Sequence, residues 1–232
     1  MSETRPILAF QGVTVESQPS YETTLVDADF SLPAGGLVLV RLPAGVTRVP
    51  LADAAQGLIE PAHGQVVFMG EDWRFASPDH AAVLRGRIGR VFEQQGLISN
   101  LDTDENVTLA TRYHTNRSEE SILEEAEKLA RQFGFAELPR QRPSLLKRSE
   151  LRRVEWVRAF LGEPTLIILE EPMVGVYPDA LSSLVDAVKT ARERGAAVLW
   201  ICSDEASWRR VTAEATLRFE LRESRLVPVE GG

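Results

Sequence analysis

Two adjacent carboxylates, Glu170 and Glu171, end the apolar run Leu166-Ile167-Ile168-Leu169. At the tip of a buried strand, such groups could approach a metal ion or draw a proton from water. A second candidate is the turn Leu42-Pro43-Ala44-Gly45-Val46-Thr47-Arg48-Val49-Pro50. Turns of this kind bind phosphate when glycines let backbone N–H groups close around the anion, a lysine reaches the outer phosphates and a hydroxyl holds Mg²⁺. Here Thr47 brings a Cβ into the cradle, Arg48 offers a broad planar fork, Val49 has no oxygen and Pro50 has no N–H. His63, His80 and His114 are scattered without metal-ligand spacing, so no metal site is expected.

These groups need strands and helices to bring them together. ILAFQGVTV, TLVDADFSL and GGLVLVRL read as strands separated by Gln18-Pro19-Ser20 and Pro33-Ala34-Gly35-Gly36. LADAAQGLI, residues 51–59, has helical spacing, and Gln65 to Met69 is a further strand. Ser118 caps a helix whose apolar face is Ile122, Leu123, Ala126, Leu129, Ala130 and Phe133, with Gly134 placed to end it. A helix over 149–161, the buried strand TLIILEEP, a helix over 179–193, the strand AAVLWICS and a strand pair near 215–229 follow. The alternation predicts an α/β fold in a single domain.

The formal charge of −8 disfavours nucleic acid as a partner. One cysteine, Cys202, in a buried strand, fits a reducing compartment and an inert thiol. No signal peptide and no membrane-spanning run is read, so a cytoplasmic location is expected, at the membrane face only through a partner. Trp73, Trp156, Trp200 and Trp208 are expected to pack the core. The run Lys147, Arg148, Arg152, Arg153 reads as a solvated helix face or a partner patch.

The order and spacing of landmarks over residues 7–228 resemble the nucleotide-binding domain of ABC transporters. The phosphate-loop turn is followed at the family's spacing by a helix and a strand. Val91-Phe92-Glu93-Gln94-Gln95-Gly96-Leu97, then Asn100-Leu101 and Glu105-Asn106-Val107, resembles the Q-loop and coupling region. Leu146-Lys147-Arg148-Ser149-Glu150 stands at the signature motif, Leu166 to Pro172 resembles Walker B, Gly175 and Pro178 frame a D-loop, and Val198 to Asp204 is similar to the switch-histidine strand. The resemblance implies a P-loop NTPase-like fold: an antiparallel β element, a mostly parallel core sheet (core lobe 7–97 and 161–228) and a helical subdomain near 98–160.

Against that family nearly every nucleotide-handling residue is changed. Leu42 and Thr47 stand at glycine positions, with Pro43 and Gly45 retained around them. Arg48 replaces the lysine, Val49 offers no oxygen for Mg²⁺, Pro50 removes an N–H donor, Glu93 replaces the Q-loop glutamine, Glu170 the Walker B aspartate, Ser203 the switch histidine and Tyr177 the D-loop aspartate. Glu171 is retained at the general-base position, with hydrogen bonding at the sheet end as its expected role. Glu16 lies near the adenine-stacking aromatic. Tyr21 reads as a surface turn tyrosine, with stacking from a shifted loop as the alternative. Lys147 and Arg148 occupy close-approach glycine positions of the signature, as solvated cations or as fingers reaching a partner's ATP.

The expectation is an inactive cassette with a structural or regulatory role in an ABC-type transporter, without ATP or Mg²⁺. It would dock a membrane permease through the Q-loop and helical region and pair with an ATPase subunit as a homo- or heterodimer. GLISNLDTDENVTLATRYH also looks like the ATPases of Mce-type lipid transport systems, which suggests lipid cargo. Two alternatives stand beside it: a functioning ATPase with atypical motifs, and a free-standing scaffold.

Overall fold

The computed structural model describes residues 5–229. The chain runs through β1 (Leu8–Val15), β2 (Leu25–Leu32), β3 (Leu37–Arg41), α1 (Leu51–Ala55), β4 (His63–Phe68), β5 (Glu71–Asp72), α2 (Pro78–Arg85) and β6 (Ile88–Val91). It continues through α3 (Thr103–His114), α4 (Glu119–Gln132), α5 (Arg148–Phe160), β7 (Leu166–Glu170), α6 (Leu181–Glu193), β8 (Ala197–Cys202), α7 (Glu205–Thr212), β9 (Leu217–Arg222) and β10 (Arg225–Pro228).

Two sheets form. The smaller is antiparallel, in the order β2-β1-β4-β5. The larger has the order β10-β9-β3-β8-β7-β6; every neighbouring pair is parallel except β9 with β10. Sequence pattern explains the division. β7 and β8 are buried at every residue, as strands covered on both faces must be. β2 alternates buried and exposed positions, as a sheet with one wet face does.

Most expected elements lie within one or two residues of their read positions, which is the ordinary scatter of element ends. The helix expected over 51–59 stops at Ala55 instead. Gly57, in the left-handed region at φ +63°, turns the chain there, and Arg85 takes the carbonyls of Gln56 and Gly57.

The core falls into two clusters. One joins the small sheet to one face of the parallel strands; the other joins α3 to α6 and α5's Trp156 to the opposite face. β6 and α5 approach so closely at Gly89 that a Cβ would lie 1.8 Å from the Ala159 carbonyl oxygen, so only glycine fits. All four of β3, β6, β7 and β8 point their carboxyl ends at one edge, where parallel sheets present ligand sites.

Candidate functional site

The phosphate-loop turn leaves β3 with the Leu42 N–H bonded to the Cys202 carbonyl. Gly45 takes φ +84°, the conformation that demands glycine, and no described atom lies within 4 Å of where its Cβ would be. Beyond it, Val46 to Val49 is not helical. Pro50 caps α1, which has only five residues, and Val49 turns its side chain into the core. A proline can begin a helix but cannot extend one backward without clash, so the turn that would aim several N–H groups at a phosphate never winds.

Two N–H groups of the turn have an occupant. The Glu22 carboxylate, from the β1–β2 connection, accepts from Thr47 N at 2.6 Å and Arg48 N at 3.1 Å, and Glu22 N donates back to the Arg48 carbonyl. These bonds hold the Glu22 carboxyl below the usual carboxylate range. The neighbouring Tyr21 hydroxyl donates to Asp53 Oδ2 at 2.5 Å and lines the cavity beside α1. The reading of Tyr21 as a surface turn residue is thereby corrected. Burial, then the Asp53 carboxylate, pushes its phenol upward.

Arg90 sits at the centre. Its guanidinium is 6% exposed; Nη1 lies 2.6 Å from Asp53 Oδ1 and Nε 2.7 Å from Glu170 Oε1, and Nη1 also donates to Gln56 Oε1 at 2.9 Å. The guanidinium carbon stands 4.5 Å from the Phe92 ring centre. Burial, reinforced by the Asp53 and Glu93 charges, raises the Glu170 carboxyl; Arg90 opposes it. Burial works against the charge on Arg90 too, but Glu170 and Asp53 outweigh it. A fixed cation thus satisfies the carboxylate at the Walker B position. What is left is a cavity of about 180 Å³ lined by Tyr21, Arg48, Asp53, Arg90, Glu93 and Glu170, among others. Arg48 faces Glu93 across 3.9 Å.

Glu171 takes a left-handed backbone conformation, φ +43°, held by its N–H to the Ile201 carbonyl. It is 2% exposed, and its Oε1 is buried with no hydrogen-bond partner among the described residues. Burial, opposed by Ser203 and reinforced by Asp204, raises its carboxyl to about 6. The folded protein therefore holds this proton more tightly than the unfolded chain. The associated stability is full below the unfolded pKa of 4.5 and is lost as pH rises through about 6. Urea midpoints taken across that window should show a fall on the order of 2 kcal/mol that Glu171→Gln removes.

At the signature position, Lys147 and Arg148 are exposed and Arg148 lies across Gly175. Glu150 bonds back to Lys147 N at 2.8 Å, so this stretch is a helix cap. The cationic run is not one solvated face. Arg152 is buried, paired with Glu155 at 3.0 Å and donating to the carbonyls of Phe92 and Glu93. Arg153 binds the carbonyls of Phe133 and Gly134 and covers Phe135. Glu155, 1% exposed, accepts from Gly96 N at 2.6 Å, and Arg158 donates to the Gly96 carbonyl. The Q-loop backbone is thus tied to α5 by two buried side chains, Arg152 and Glu155, and a partly buried one, Arg158.

Trp156 and Trp200 are fully buried. Trp73 stacks on Phe68 and Trp208 is mostly buried beside Arg41, as core-packing tryptophans. Cys202 is buried, and burial pushes its thiol upward. His80 pairs with Glu71, and His114 packs on Gly86. Sequence reasoning overlooked Glu22, Asp53, Arg90 and Glu155. A signal existed for two of them: Arg90 interrupts the short strand IGRV, and Glu155 interrupts the apolar stretch Val154-Trp156-Val157, where a charge requires a partner.

The profile of the ABC transporter family matches residues 25–174. The chain is 29% identical over 182 residues to the lipopolysaccharide export system ATP-binding protein LptB of Haemophilus influenzae, covering 78% of this chain and 75% of that protein. It is 27% identical over 158 residues to the intermembrane phospholipid transport system ATP-binding protein MlaF of Escherichia coli, covering 68% and 59%. In fold it superposes on the dimeric ATP-binding cassette MJ0796 bound to ADP and Pi with a TM-score of 0.83, at 20% identity, over 97% of this chain and 100% of that one. An α/β cassette with its landmarks in order, matched by that profile over more than half its length, belongs to the ABC transporter family as an ATP-binding domain.

Proposed function

We propose that this chain is a cassette that does not turn over ATP and serves an ABC-type transporter assembly as a structural or regulatory subunit. The observation that carries the reading is internal charge satisfaction. Glu22 supplies an anion to the phosphate-loop N–H groups, and Arg90 supplies a cation to the Walker B carboxylate. A magnesium nucleotide would have to displace both. The residues at the metal position do not fit Mg²⁺, because Glu170 is engaged by a guanidinium and Val49 has no oxygen donor. Glu171 remains as a base with no positioned phosphate to act on.

Calorimetric titration of the purified chain with millimolar Mg-ATP tests this reading, and no saturable heat is expected. Saturable binding, with turnover that disappears in Glu171→Gln, would establish a functioning ATPase instead.

The names of LptB and MlaF support a lipid-class cargo for the assembly and a place at the cytoplasmic face of the membrane through a permease partner. Among the described residues no helix is long and apolar enough to cross a membrane. For the permease we assign the groove of about 580 Å³ between α2 and the end of α3, lined by Arg87, Thr165 and the exposed apolar side chains of Val83 and Tyr113. Exposed apolar side chains gathered around a groove are the mark of a docking surface. Val83→Asp with Tyr113→Asp should abolish co-purification of the permease while moving stability by no more than about 0.5 kcal/mol for each surface change. Capture of soluble partners alone by the unaltered chain would favour a free-standing scaffold. The related cassette MJ0796 is dimeric, and pairing with a second cassette is proposed here too.

A further inference from the structure

The connection between β1 and β2 reads Glu16-Ser17-Gln18-Pro19-Ser20-Tyr21-Glu22-Thr23-Thr24, with no leucine, isoleucine, valine, methionine or phenylalanine. None of these residues is buried. Its ends lie side by side, because Val15 pairs with Leu25. A loop without buried apolar contacts opens at low cost and leaves the fold around it intact.

What holds this loop down is polar. At its base the Thr23 and Thr24 hydroxyls meet Ser224 Oγ at 3.1 and 2.7 Å, and Val26 N donates to the Ser224 carbonyl. That end is therefore fixed to the turn between β9 and β10. Further out, two adjacent residues grip two different segments. Glu22 Oε2 accepts from both Thr47 N and Arg48 N, and Glu22 N donates to the Arg48 carbonyl at 3.0 Å. Tyr21 reaches instead to Asp53 on α1, and Asp53 Oδ1 stands 2.6 Å from Arg90 Nη1. Tyr21 N also donates to the Gln18 carbonyl at 3.1 Å, a turn that presents both grips together. Tyr21 lines the cavity around Arg90, so the loop forms part of its wall.

We propose that residues 16–24 are a lid over the cavity around Arg90, held by Tyr21 on Asp53 and by Glu22 on Thr47 and Arg48, and that both holds release together. Tyr21 and Glu22 share one planar peptide unit, so neither can swing out while the other stays seated. Opening frees the Thr47 and Arg48 N–H groups and one oxygen of Asp53 in a single event, and admits solutes to the cavity. This regulation of the closed site rests on Tyr21 and Glu22 occupying it, not on the absence of turnover.

The test is amide exchange on the full chain without nucleotide. Tyr21→Phe removes only the hydroxyl, which touches neither Thr47 nor Arg48. Exchange at the Thr47, Arg48 and Glu22 amides should nevertheless accelerate about tenfold, while Leu42 and Val26, bonded to Cys202 and Ser224, stay as in the parent. Tyrosine nitration reads the coupling from the other side. Tetranitromethane should modify the exposed Tyr113 and Tyr177 well ahead of Tyr21 in the parent. Glu22→Ala, which leaves the phenol and Asp53 in place, should raise Tyr21 modification about tenfold. Unchanged amide protection in Tyr21→Phe, or unchanged Tyr21 nitration in Glu22→Ala, would overturn the lid. So would equal acceleration at Leu42, the sign of general loosening. Mg-ATP calorimetry on the unaltered chain reads the catalytic question separately: saturable heat beside these shifts would remove the inactive reading and leave the lid.

Discussion

Replacing Arg90 with methionine is expected to lower the unfolding free energy by about 3–5 kcal/mol, because it strands one buried and one half-buried carboxylate against each other. Methionine keeps much of the volume and the contact with Phe92, so lost packing contributes little. The loss should depend on pH in a defined direction. Without the guanidinium, burial acts unopposed on the Glu170 carboxyl and lifts it further above its ordinary 4.5. A raised acid contributes its stability below the unfolded pKa and loses it as pH rises, so the gap between variant and parent should be widest at neutral pH and narrow towards pH 4.5. Adding Glu170→Gln should recover a large part of the loss. Equilibrium urea unfolding of the three proteins at two pH values measures all of this. An Arg90→Met protein as stable as the parent at neutral pH would mean that the cation contributes nothing to the closed site.

The second large effect is expected at Glu155. Truncation to alanine removes the only carboxylate paired with Arg152 among the described residues and a bond to Gly96 N, leaving two mostly buried cations, Arg152 and Arg158, facing each other's fields. The expected cost is again about 3–5 kcal/mol. Its location distinguishes it from a general loss of packing. Phe92, Glu93 and Gly96 are held to α5 through their backbone groups, so amide exchange over residues 92–97 should accelerate far more than in β7 or β8. Glu155→Gln, which can still accept from Gly96 N, should lose less and keep the loop protected.

These two clusters also mark what could and could not be read from the chain. The parallel core was legible because β7 and β8 are unbroken apolar runs, and α4 because its cap, apolar stripe and closing glycine agree with one another. The length of α1 was not, since apolar spacing carries through Gly57 while the backbone does not. The departures from the family's pattern were visible one by one at Thr47, Arg48, Val49 and Glu170. What fills their place was hidden by distance along the chain: Arg90 and Glu170 are 80 residues apart, Glu22 and Thr47 are 25 apart. No local pattern announces a partner that folding alone delivers. Arg152 was misread for the same reason, as a surface cation among others, until β6 and the loop after it closed over its helix.

The carboxylate of Glu22 has a consequence beyond the loop it occupies. A protein whose folded form is favoured by a bound metabolite gains stability only in proportion to how far that metabolite exceeds its dissociation constant. Here the occupant is covalently part of the chain, present at unit stoichiometry whatever the energy state of the cell. On the proposed function, the melting temperature of this cassette should therefore be the same in starved and well-fed conditions, with its lifetime set by the chain rather than by the nucleotide pool.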